Sequence, residues 1–189
     1  MNKITVFCAS NNDQSINRTL ANIVVNKIAT RYSVQTKLAD IRDYPLPIYS
    51  LPFEKQHGFP EPVHVARELF ANADAMVICC PEHNGSTPAV FKNLIDWMSR
   101  LETKQQMVFP KNQPVLLLST SPGKRGGLTN LNHLSDVMPW WGANIISKLA
   151  IGDFYNVYAD GQFSALIESE LDNLLNQFVL SIDSYCQAV

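Results

Sequence analysis

The sequence predicts an α/β fold in which a doubly wound, five-stranded parallel sheet carries helices on both of its faces. Short apolar runs alternate along the chain with segments of helical periodicity, and the alternation recurs five times. The run at residues 75–80 is apolar without interruption, which is typical of a parallel strand buried on both faces. Strict alternation of strands and helices requires right-handed crossovers between parallel neighbours.

The first two strands and the first helix lie in the amino-terminal part of the chain. Residues 4–8 form the first predicted strand, and apolar side chains at helical spacing between Ile16 and Ile28 mark one face of the following helix. Residues 34–38 make a weaker second strand. The segment 42–60 is rich in proline and aromatic residues and predicts a long, ordered connection without regular structure. A connection of this length usually serves a function or an interface.

The rest of the chain continues the alternation. The predicted elements are a helix over 62–71, a strand over 75–80, a helix over 88–101, a strand over 115–118, a helix over 128–138, a strand over 144–149 and an amphipathic helix over 163–185. In the helix that follows the third strand, Thr87 is expected to be the N-cap and Pro88 the first helical residue. At 189 residues the chain fits one domain, since a single core remains workable to roughly 250 residues.

The amino-acid composition indicates which classes of binding partner this chain can have. Charged residues make up 17% of the chain, below the roughly 25% of an average soluble domain, so we expect some apolar surface to be covered by a second subunit. The net charge of −2 provides no basic field for nucleic acid. No apolar run approaches the roughly 20 residues of a membrane helix, and the first residues leave no room for a signal peptide. We therefore expect a cytoplasmic protein with no membrane or nucleic-acid partner.

The cysteines and histidines show no metal-ligand spacing. The four cysteines, Cys8, Cys79, Cys80 and Cys186, form no C-x-x-C pair, and two of them are neighbours in a predicted buried strand. They are interpreted as core residues in a reducing compartment. The four histidines are equally scattered, so no metal is expected.

Three polar loops follow predicted strands and are candidates for a ligand site, because ligands of an open parallel sheet bind beyond the carboxyl ends of its strands. The first, residues 9–17, opens a helix, whose unsatisfied N–H groups and positive end favour a phosphate. The second spans residues 81–87 and the third residues 119–127. Each loop also has a purely structural interpretation, as a capped turn or as a turn that needs permissive backbone angles.

The second loop and its helix, Pro81-Glu-His-Asn-Gly-Ser-Thr-Pro-Ala-Val-Phe, closely resemble the signature of the NADPH-dependent FMN reductase family. In these flavodoxin-like flavoproteins a Pro-Glu-Tyr-Asn-Gly-Ser loop holds the isoalloxazine ring, and here His83 stands in place of the tyrosine. The resemblance extends to residues 10–17, Tyr44-Pro-Leu-Pro-Ile-Tyr49 and residues 119–127. It implies the flavodoxin-like strand order 2-1-3-4-5, bound FMN, and NADPH or NADH as the reducing substrate.

The resemblance also implies a set of cofactor-binding residues. They are Ser10, Asn12, Ser15, Ile16 and Asn17 in the first loop, Pro81, Glu82, His83, Asn84 and Gly85 in the second, and Thr120 and Ser121 in the third. The first loop of the family is similar to Gly-Ser-x-Arg-x-x-Ser-x-Asn, so Ala9 replaces the glycine and Asn12 the arginine. The positive charge of that arginine is missing, and Asp13 adds a negative one. Weakened phosphate binding is therefore expected.

The roles of His83 and of the basic pair Lys124 and Arg125 each have two possible interpretations. His83 either lies near the flavin ring, where a protonatable group could tune the cofactor, or is an exposed loop residue without a role. Lys124 and Arg125 are the basic pair nearest to the predicted pocket, and they either meet a phosphate of NADPH or are solvated.

The sequence lacks the motifs of several other enzyme and signalling classes that share an α/β fold. No G-x-G-x-x-G follows a strand, Gly123-Lys-Arg has neither the spacing nor the hydroxyl of a P-loop, and no G-x-S-x-G is present. A response-regulator receiver would need an aspartate at the end of the third strand, where this chain has Pro81.

The expected function is that of an FMN-dependent NAD(P)H oxidoreductase. A nicotinamide delivers a hydride to flavin N5, leaves, and is replaced by a quinone, azo dye, free flavin or similar small-molecule acceptor, in a ping-pong reaction. No catalytic side chain is expected, because the cofactor carries the electrons. The alternative is a non-enzymatic flavodoxin-like electron carrier, or a scaffold with weak or lost FMN binding, motivated by Asn12 and Asp13. A homodimer is expected because the family commonly forms dimers, with a homotetramer as the alternative assembly.

Overall fold

In the computed structural model, which describes residues 1–101 and 107–188, five strands form one parallel sheet. The strands are Lys3–Cys8 (β1), Gln35–Asp40 (β2), Ala75–Cys79 (β3), Gln113–Thr120 (β4) and Ala143–Ile151 (β5). Their order is β2-β1-β3-β4-β5, and every neighbouring pair is parallel. The predicted fold class and strand order are confirmed.

Helices connect the strands. They are Ile16–Arg31 (α1), Leu51–His57 (α2), Glu61–Ala71 (α3), Ala89–Ser99 (α4), Leu128–Val137 (α5), Phe154–Val157 (α6) and Ala165–Ala188 (α7). Short 3₁₀ turns occupy Ile41–Asp43, Pro110–Asn112 and Met138–Trp141, and a small antiparallel hairpin pairs Tyr158–Ala159 with Gln162–Phe163.

The sheet separates two hydrophobic cores, because successive side chains of a strand point to opposite faces. Phe7 of β1 belongs to the core beneath α3, α4 and α5, together with Phe70 and Trp97. Its neighbour Val6 belongs to the core beneath α1 and α7, where it joins Phe178. All residues of β3 and β4 are buried, as expected of central parallel strands. Helices therefore cover both faces, as predicted.

The connection between β2 and α3 is more regular than predicted. Residues 42–60 were expected to lack regular structure, yet α2 forms within them. The Ser50 side chain caps α2 by accepting a hydrogen bond from the Phe53 N–H at 3.3 Å, and Gly58 ends the helix with a φ of 71°. Pro52 lies in the first turn, where a helix needs no N–H from it. The proline that argued against a helix is therefore compatible with one.

Two further expectations need correction. Helix α4 starts at Ala89 with Pro88 as its N-cap residue, one position later than predicted. The Thr87 hydroxyl lies 3.4 Å from the Cys80 sulfur instead of capping the helix. The helix also ends at Ser99, earlier than expected.

The expected burial of the cysteines is confirmed for Cys8, Cys79 and Cys80, which are free thiols in the core. Burial raises the pKa of all three, and that of Cys80 to about 11, so these thiols are not poised to react. Cys186 lies outside the residues whose side chains are described. Among the described helices, none combines the length and the apolar character needed to cross a membrane.

Candidate functional site

The three polar loops meet at the carboxyl ends of β1, β3 and β4. Two backbone hydrogen bonds continue the sheet into the loops: the Ala9 N–H donates to the Cys79 carbonyl and the Cys80 N–H donates to the Leu118 carbonyl, both at 2.9 Å. All three loops therefore lie beyond the carboxyl ends of the strands, where a ligand of an open parallel sheet is expected to bind.

The first loop wraps around a guanidinium group. Arg18, in the first turn of α1, donates to the backbone carbonyls of Ser10 at 3.0 Å, Asn12 at 2.7 Å and Asp13 at 3.1 Å. Its Nε donates to the Asp40 carboxylate at the end of β2 at 2.5 Å. The loop thus owes its shape to a residue just beyond the motif that pointed to it.

This shape leaves backbone donors free. In a trans peptide the carbonyl and the next N–H point in opposite directions, so carbonyls facing Arg18 direct the following N–H groups away from it. The N–H groups of Asn11, Asp13 and Ser15 have no acceptor among the described residues. Helix α1 has no acidic side chain in its first turn. A loop with free donors at the positive end of a helix suits a phosphate.

The predicted side chains of this loop differ in availability. The Asn12 side chain accepts from the Gln14 N–H at 3.0 Å and so stabilises its own turn, while Ser10 is buried and accepts from the Asn12 N–H at 3.4 Å. Ser15 precedes α1 with its hydroxyl unused in capping. Asn17 is buried, and its amide is hydrogen-bonded to the backbone of Thr120.

Asp40 and Arg42, two further charged residues that the sequence reasoning missed, flank the same loop. Arg42, just after β2, donates to both Asp40 oxygens at 3.0 and 3.2 Å and to the Asp13 carboxylate at 2.9 Å. Burial opposes the ionisation of Asp40, but hydrogen bonds from Arg18 and Arg42 outweigh it and lower the pKa of this carboxyl. The negative charge of Asp13 is therefore paired. The available signal was the tripeptide Asp40-Ile41-Arg42, which follows the second strand predicted over residues 34–38.

The second loop is a tight two-residue turn. The His83 N–H donates to the Ser86 carbonyl at 2.8 Å, and the Ser86 N–H donates back to the His83 carbonyl at 3.1 Å. Asn84 and Gly85 between them have φ angles of 52° and 79°, the Asn-Gly signature of a type I′ turn. A Cβ added at Gly85 would meet nothing within 4 Å. The turn projects His83, Asn84 and Gly85 into solvent, so its backbone is open to a ligand.

The base of this turn is attached to α5. The Glu82 carboxylate accepts a hydrogen bond from the backbone N–H of Asn130 at 3.0 Å, and the Asn130 side chain donates to the Pro81 carbonyl at 2.9 Å. The Glu82 side chain therefore serves the helix, and what this residue can present to a ligand is its backbone. Asn130, which is fully buried, was missed by the sequence reasoning.

The third loop is packed tightly against β5. The buried Thr120 hydroxyl donates to the Ile151 carbonyl at 2.8 Å, and the half-buried Ser121 hydroxyl donates to the Gly123 carbonyl at 3.0 Å. A Cβ at Gly127, whose φ is 87°, would lie 2.1 Å from the Ser119 hydroxyl oxygen, so glycine is required there. The Ser119 hydroxyl is buried and has no hydrogen-bond partner among the described residues.

A cavity of about 340 Å³ lies beside the first loop and is lined by Asn11, Arg42, Tyr44, Leu46 and Asn93, among others. The side chains of Asn93 and Trp97 of α4 both donate to the Pro47 carbonyl, at 3.0 and 2.8 Å, and so hold the segment that follows Leu46 against α4. A cavity of about 380 Å³ is lined by residues at the amino ends of β1 and β2. It lies away from the three loops.

Comparison with known proteins agrees with this geometry. Residues 2–156 match the sequence profile of the NADPH-dependent FMN reductase family. The chain belongs to this family. Membership confirms the resemblance inferred from the sequence, the oxidoreductase class, FMN as cofactor and a nicotinamide dinucleotide as reductant.

Individual relatives are similar over most of their length. A quinone reductase of Escherichia coli (strain K12) is 32% identical over 153 residues, which are 80% of this chain and 78% of that protein. A 2-hydroxy-1,4-benzoquinone reductase of a Burkholderia species is 33% identical over 135 residues, 71% of this chain and 69% of that protein. The flavoenzyme NAD(P)H:(acceptor) oxidoreductase FerB of Paracoccus denitrificans superposes with a TM-score of 0.78 at 23% identity, covering 98% and 99% of the two chains, and shares the fold.

Proposed function

We propose that this NADPH-dependent FMN reductase family member passes electrons from NAD(P)H through FMN to a quinone or a similar small-molecule acceptor. The observation that carries the proposal is the meeting of three loops around one crevice: a first loop with free N–H donors, an exposed Asn-Gly turn and a glycine-rich third loop. Both of the relatives described above, which are 32% and 33% identical to this chain, are named quinone reductases, and this supports a quinone as acceptor.

The described residues fit FMN in three places. The phosphate would be held by the backbone of the first loop and of Ile16 and Asn17 at the start of α1, and by the Ser15 hydroxyl, while the Ser10 and Asn12 side chains shape the loop. The polar edge of the ring would be held by the turn of Pro81, Glu82, His83, Asn84 and Gly85 through its backbone, where the space next to Gly85 is open. Thr120 and Ser121 would border the third side by shape and not as donors, because their hydroxyl hydrogens and their backbone N–H groups are already bound within the protein.

The chemistry that FMN supplies when bound is acceptance of a hydride from NAD(P)H followed by reduction of the acceptor, in a ping-pong sequence. The protein's own task is positioning. His83, Asn84 and Gly85 of the turn are exposed, which leaves the space in front of the turn open to two substrates in succession. Lys124 and Arg125 are exposed on the third loop and are suited to the phosphates of the dinucleotide.

We propose that residues 1–189 make one FMN-binding domain and act in the cytoplasm as a homodimer, with a homotetramer as the alternative. Exposed apolar side chains support an assembly: Ile48 and Leu51 both lie in the proline-rich segment 42–60, and Trp140 is 81% exposed. Light scattering of the FMN-loaded protein at micromolar concentration tests the assembly, and a monomer there would contradict it.

The visible spectrum and turnover of the pure protein test the function. A protein that shows the flavin absorption band and oxidises NADPH or NADH only when benzoquinone is present is the proposed enzyme. A flavin-containing protein inert to both dinucleotides is an electron carrier. A colourless protein that does not bind added FMN is a scaffold, and either of the last two results would reject the proposal.

A further inference from the structure

The first loop lacks the arginine of its family pattern, yet it is not without positive charge. Asn12 occupies the arginine position, and its side chain accepts a hydrogen bond from the Gln14 N–H. Two guanidinium groups reach the loop from elsewhere. Arg18 approaches from α1 and Arg42 from the end of β2.

The two arginines differ in what they can still bind. Arg18 uses four of its five N–H groups on Asp40 and three loop carbonyls, and its side chain is 15% exposed. Arg42 uses three, two on Asp40 and one on Asp13, and is 40% exposed. Arg18 is therefore committed to the shape of the loop, whereas Arg42 has free donors at the surface of the same loop.

We propose that Arg42 replaces the missing arginine as the cationic partner of the FMN phosphate. Before FMN binds, the Asp13 carboxylate pairs with the side of the Arg42 guanidinium that the phosphate then takes. This inference rests on the proposed function. Asp40 anchors the Arg42 guanidinium through two hydrogen bonds and leaves the Nη1 side directed at the loop. Arg42 also lines the 340 Å³ cavity together with Asn11, whose backbone N–H has no acceptor within residues 1–101 and 107–188, so the cation and an available donor border the same space.

Asp13 is suited to this exchange. Its side chain is 89% exposed, and its carboxylate bonds to Arg42 at a single oxygen. An exposed ion pair of this kind contributes little to stability, so breaking it costs little. A phosphate carries more negative charge and more acceptor oxygens than a carboxylate, and its oxygens match the paired N–H donors of a guanidinium. The charge of Asp13 opposes phosphate binding, and its bond to Arg42 competes with it.

The experiment compares FMN with riboflavin, which has the same ring and no phosphate. The full chain is stripped of flavin and titrated with each ligand, and the ratio of the two dissociation constants isolates the phosphate. Arg42→Gln is expected to weaken FMN binding about tenfold and to leave riboflavin unchanged, since a hydrogen bond to a charged group is lost. The matched control is Arg100→Gln, because Arg100 is similarly exposed (44%) and paired with Glu54 at 2.9 Å, away from the loops.

Asp13→Asn provides a second and opposite test at a position too exposed to affect folding. It is expected to tighten FMN binding about threefold, with the gain shrinking as salt rises, and to leave riboflavin unchanged. In the Arg42→Gln background the gain is expected to be smaller, because no ion pair remains to be released.

The outcomes separate the two proposals. If the wild-type chain binds FMN but Arg42→Gln keeps the FMN-to-riboflavin ratio, the role of Arg42 is rejected and the proposed function stands. If both variants lower the affinity for the two flavins equally, the residues only support the fold and the inference is again rejected. If the wild-type chain binds neither flavin, both proposals fail.

Discussion

The side-chain amide of Asn17 pairs with the backbone of Thr120 through two hydrogen bonds. Its Nδ2 donates to the Thr120 carbonyl at 2.9 Å, and its Oδ1 accepts from the Thr120 N–H at 3.0 Å. An amide mimics a peptide group, so this pair resembles one rung of a sheet ladder between the first turn of α1 and the end of β4. It joins the first loop to the third, which explains why an asparagine at this position matters even apart from any ligand.

Replacing Asn17 by alanine is expected to destabilise the fold by about 1–3 kcal/mol, because two buried backbone groups of Thr120 lose their partner. The measurement is urea unfolding of the flavin-free chain. The control is Asn22→Ala on the same helix, since Asn22 is exposed and donates only to the Arg18 carbonyl. Equal stabilities of the two variants would show that the pairing of Asn17 with Thr120 does not stabilise the fold.

Gly85→Val is expected to weaken FMN binding roughly tenfold or more, because a branched side chain fills the open space next to the exposed turn. The positive φ adds a stability cost of about 1–2 kcal/mol whatever the ligand does. Gly161→Val separates the two effects, since Gly161 has a φ of 83°, is equally open, and lies in the hairpin between β5 and α7. Both variants should lose similar stability, and only Gly85→Val should lose FMN. Retained affinity in a folded Gly85→Val chain would mean that the loop is a turn and nothing more.

Glu82→Ala is expected to cost about 0.5–2 kcal/mol of stability, because its carboxylate caps α5 from another loop. The residue before α5 is Gly127, which has no side chain, and Glu82 accepts from the third N–H of the helix in its place. Glu82→Gln keeps an acceptor and should recover part of the loss. Thermal unfolding measures both variants beside Glu170→Ala, an exposed substitution on α7. If alanine and glutamine behave alike, the cap is not the reason for glutamate at this position.

Acid stability should depend on Asp40. Its pKa in the folded chain is below the ordinary value of 3.8, so the folded state binds fewer protons than the unfolded state in that range. The stabilisation is present above the unfolded pKa and is lost as pH falls through the folded pKa, in a window that opens near pH 5 and extends below pH 4. Asp40→Asn should flatten the fall of unfolding free energy in this window.

A second aspartate gives the comparison for this prediction. Asp172, on α7 far from the loops, also has a lowered pKa: burial raises it, but hydrogen bonds from Arg31 and Lys27 prevail. Asp172→Asn should also flatten the fall of unfolding free energy with decreasing pH. Only Asp40→Asn should change FMN affinity, because it is Asp40 that anchors Arg18 and Arg42. Loss of FMN affinity in both variants would point to general destabilisation instead.

Local patterns were sufficient for the architecture. Buried strands are short apolar runs, and β3 and β4 could be located because every side chain in them is buried. The Asn-Gly turn was readable because only a few residue types accept two successive positive φ angles. Helix α2 was missed because prolines suggest irregular chain unless the first turn of a helix is considered.

Sequence patterns were enough to predict the fold class, the three loops and, through the Pro81 to Ser86 motif, the family. The side chains that bind to those loops could be identified only from the folded chain. Arg42 and Asp13 are 29 residues apart, and Glu82 and the Asn130 N–H are 48 apart, so no periodicity or local motif connects them. Charges at such separations meet only because parallel strands bring their carboxyl ends to one edge of the sheet. For that reason the charge missing at Asn12 could be noticed in the sequence, while the guanidinium beside it could be found only in three dimensions.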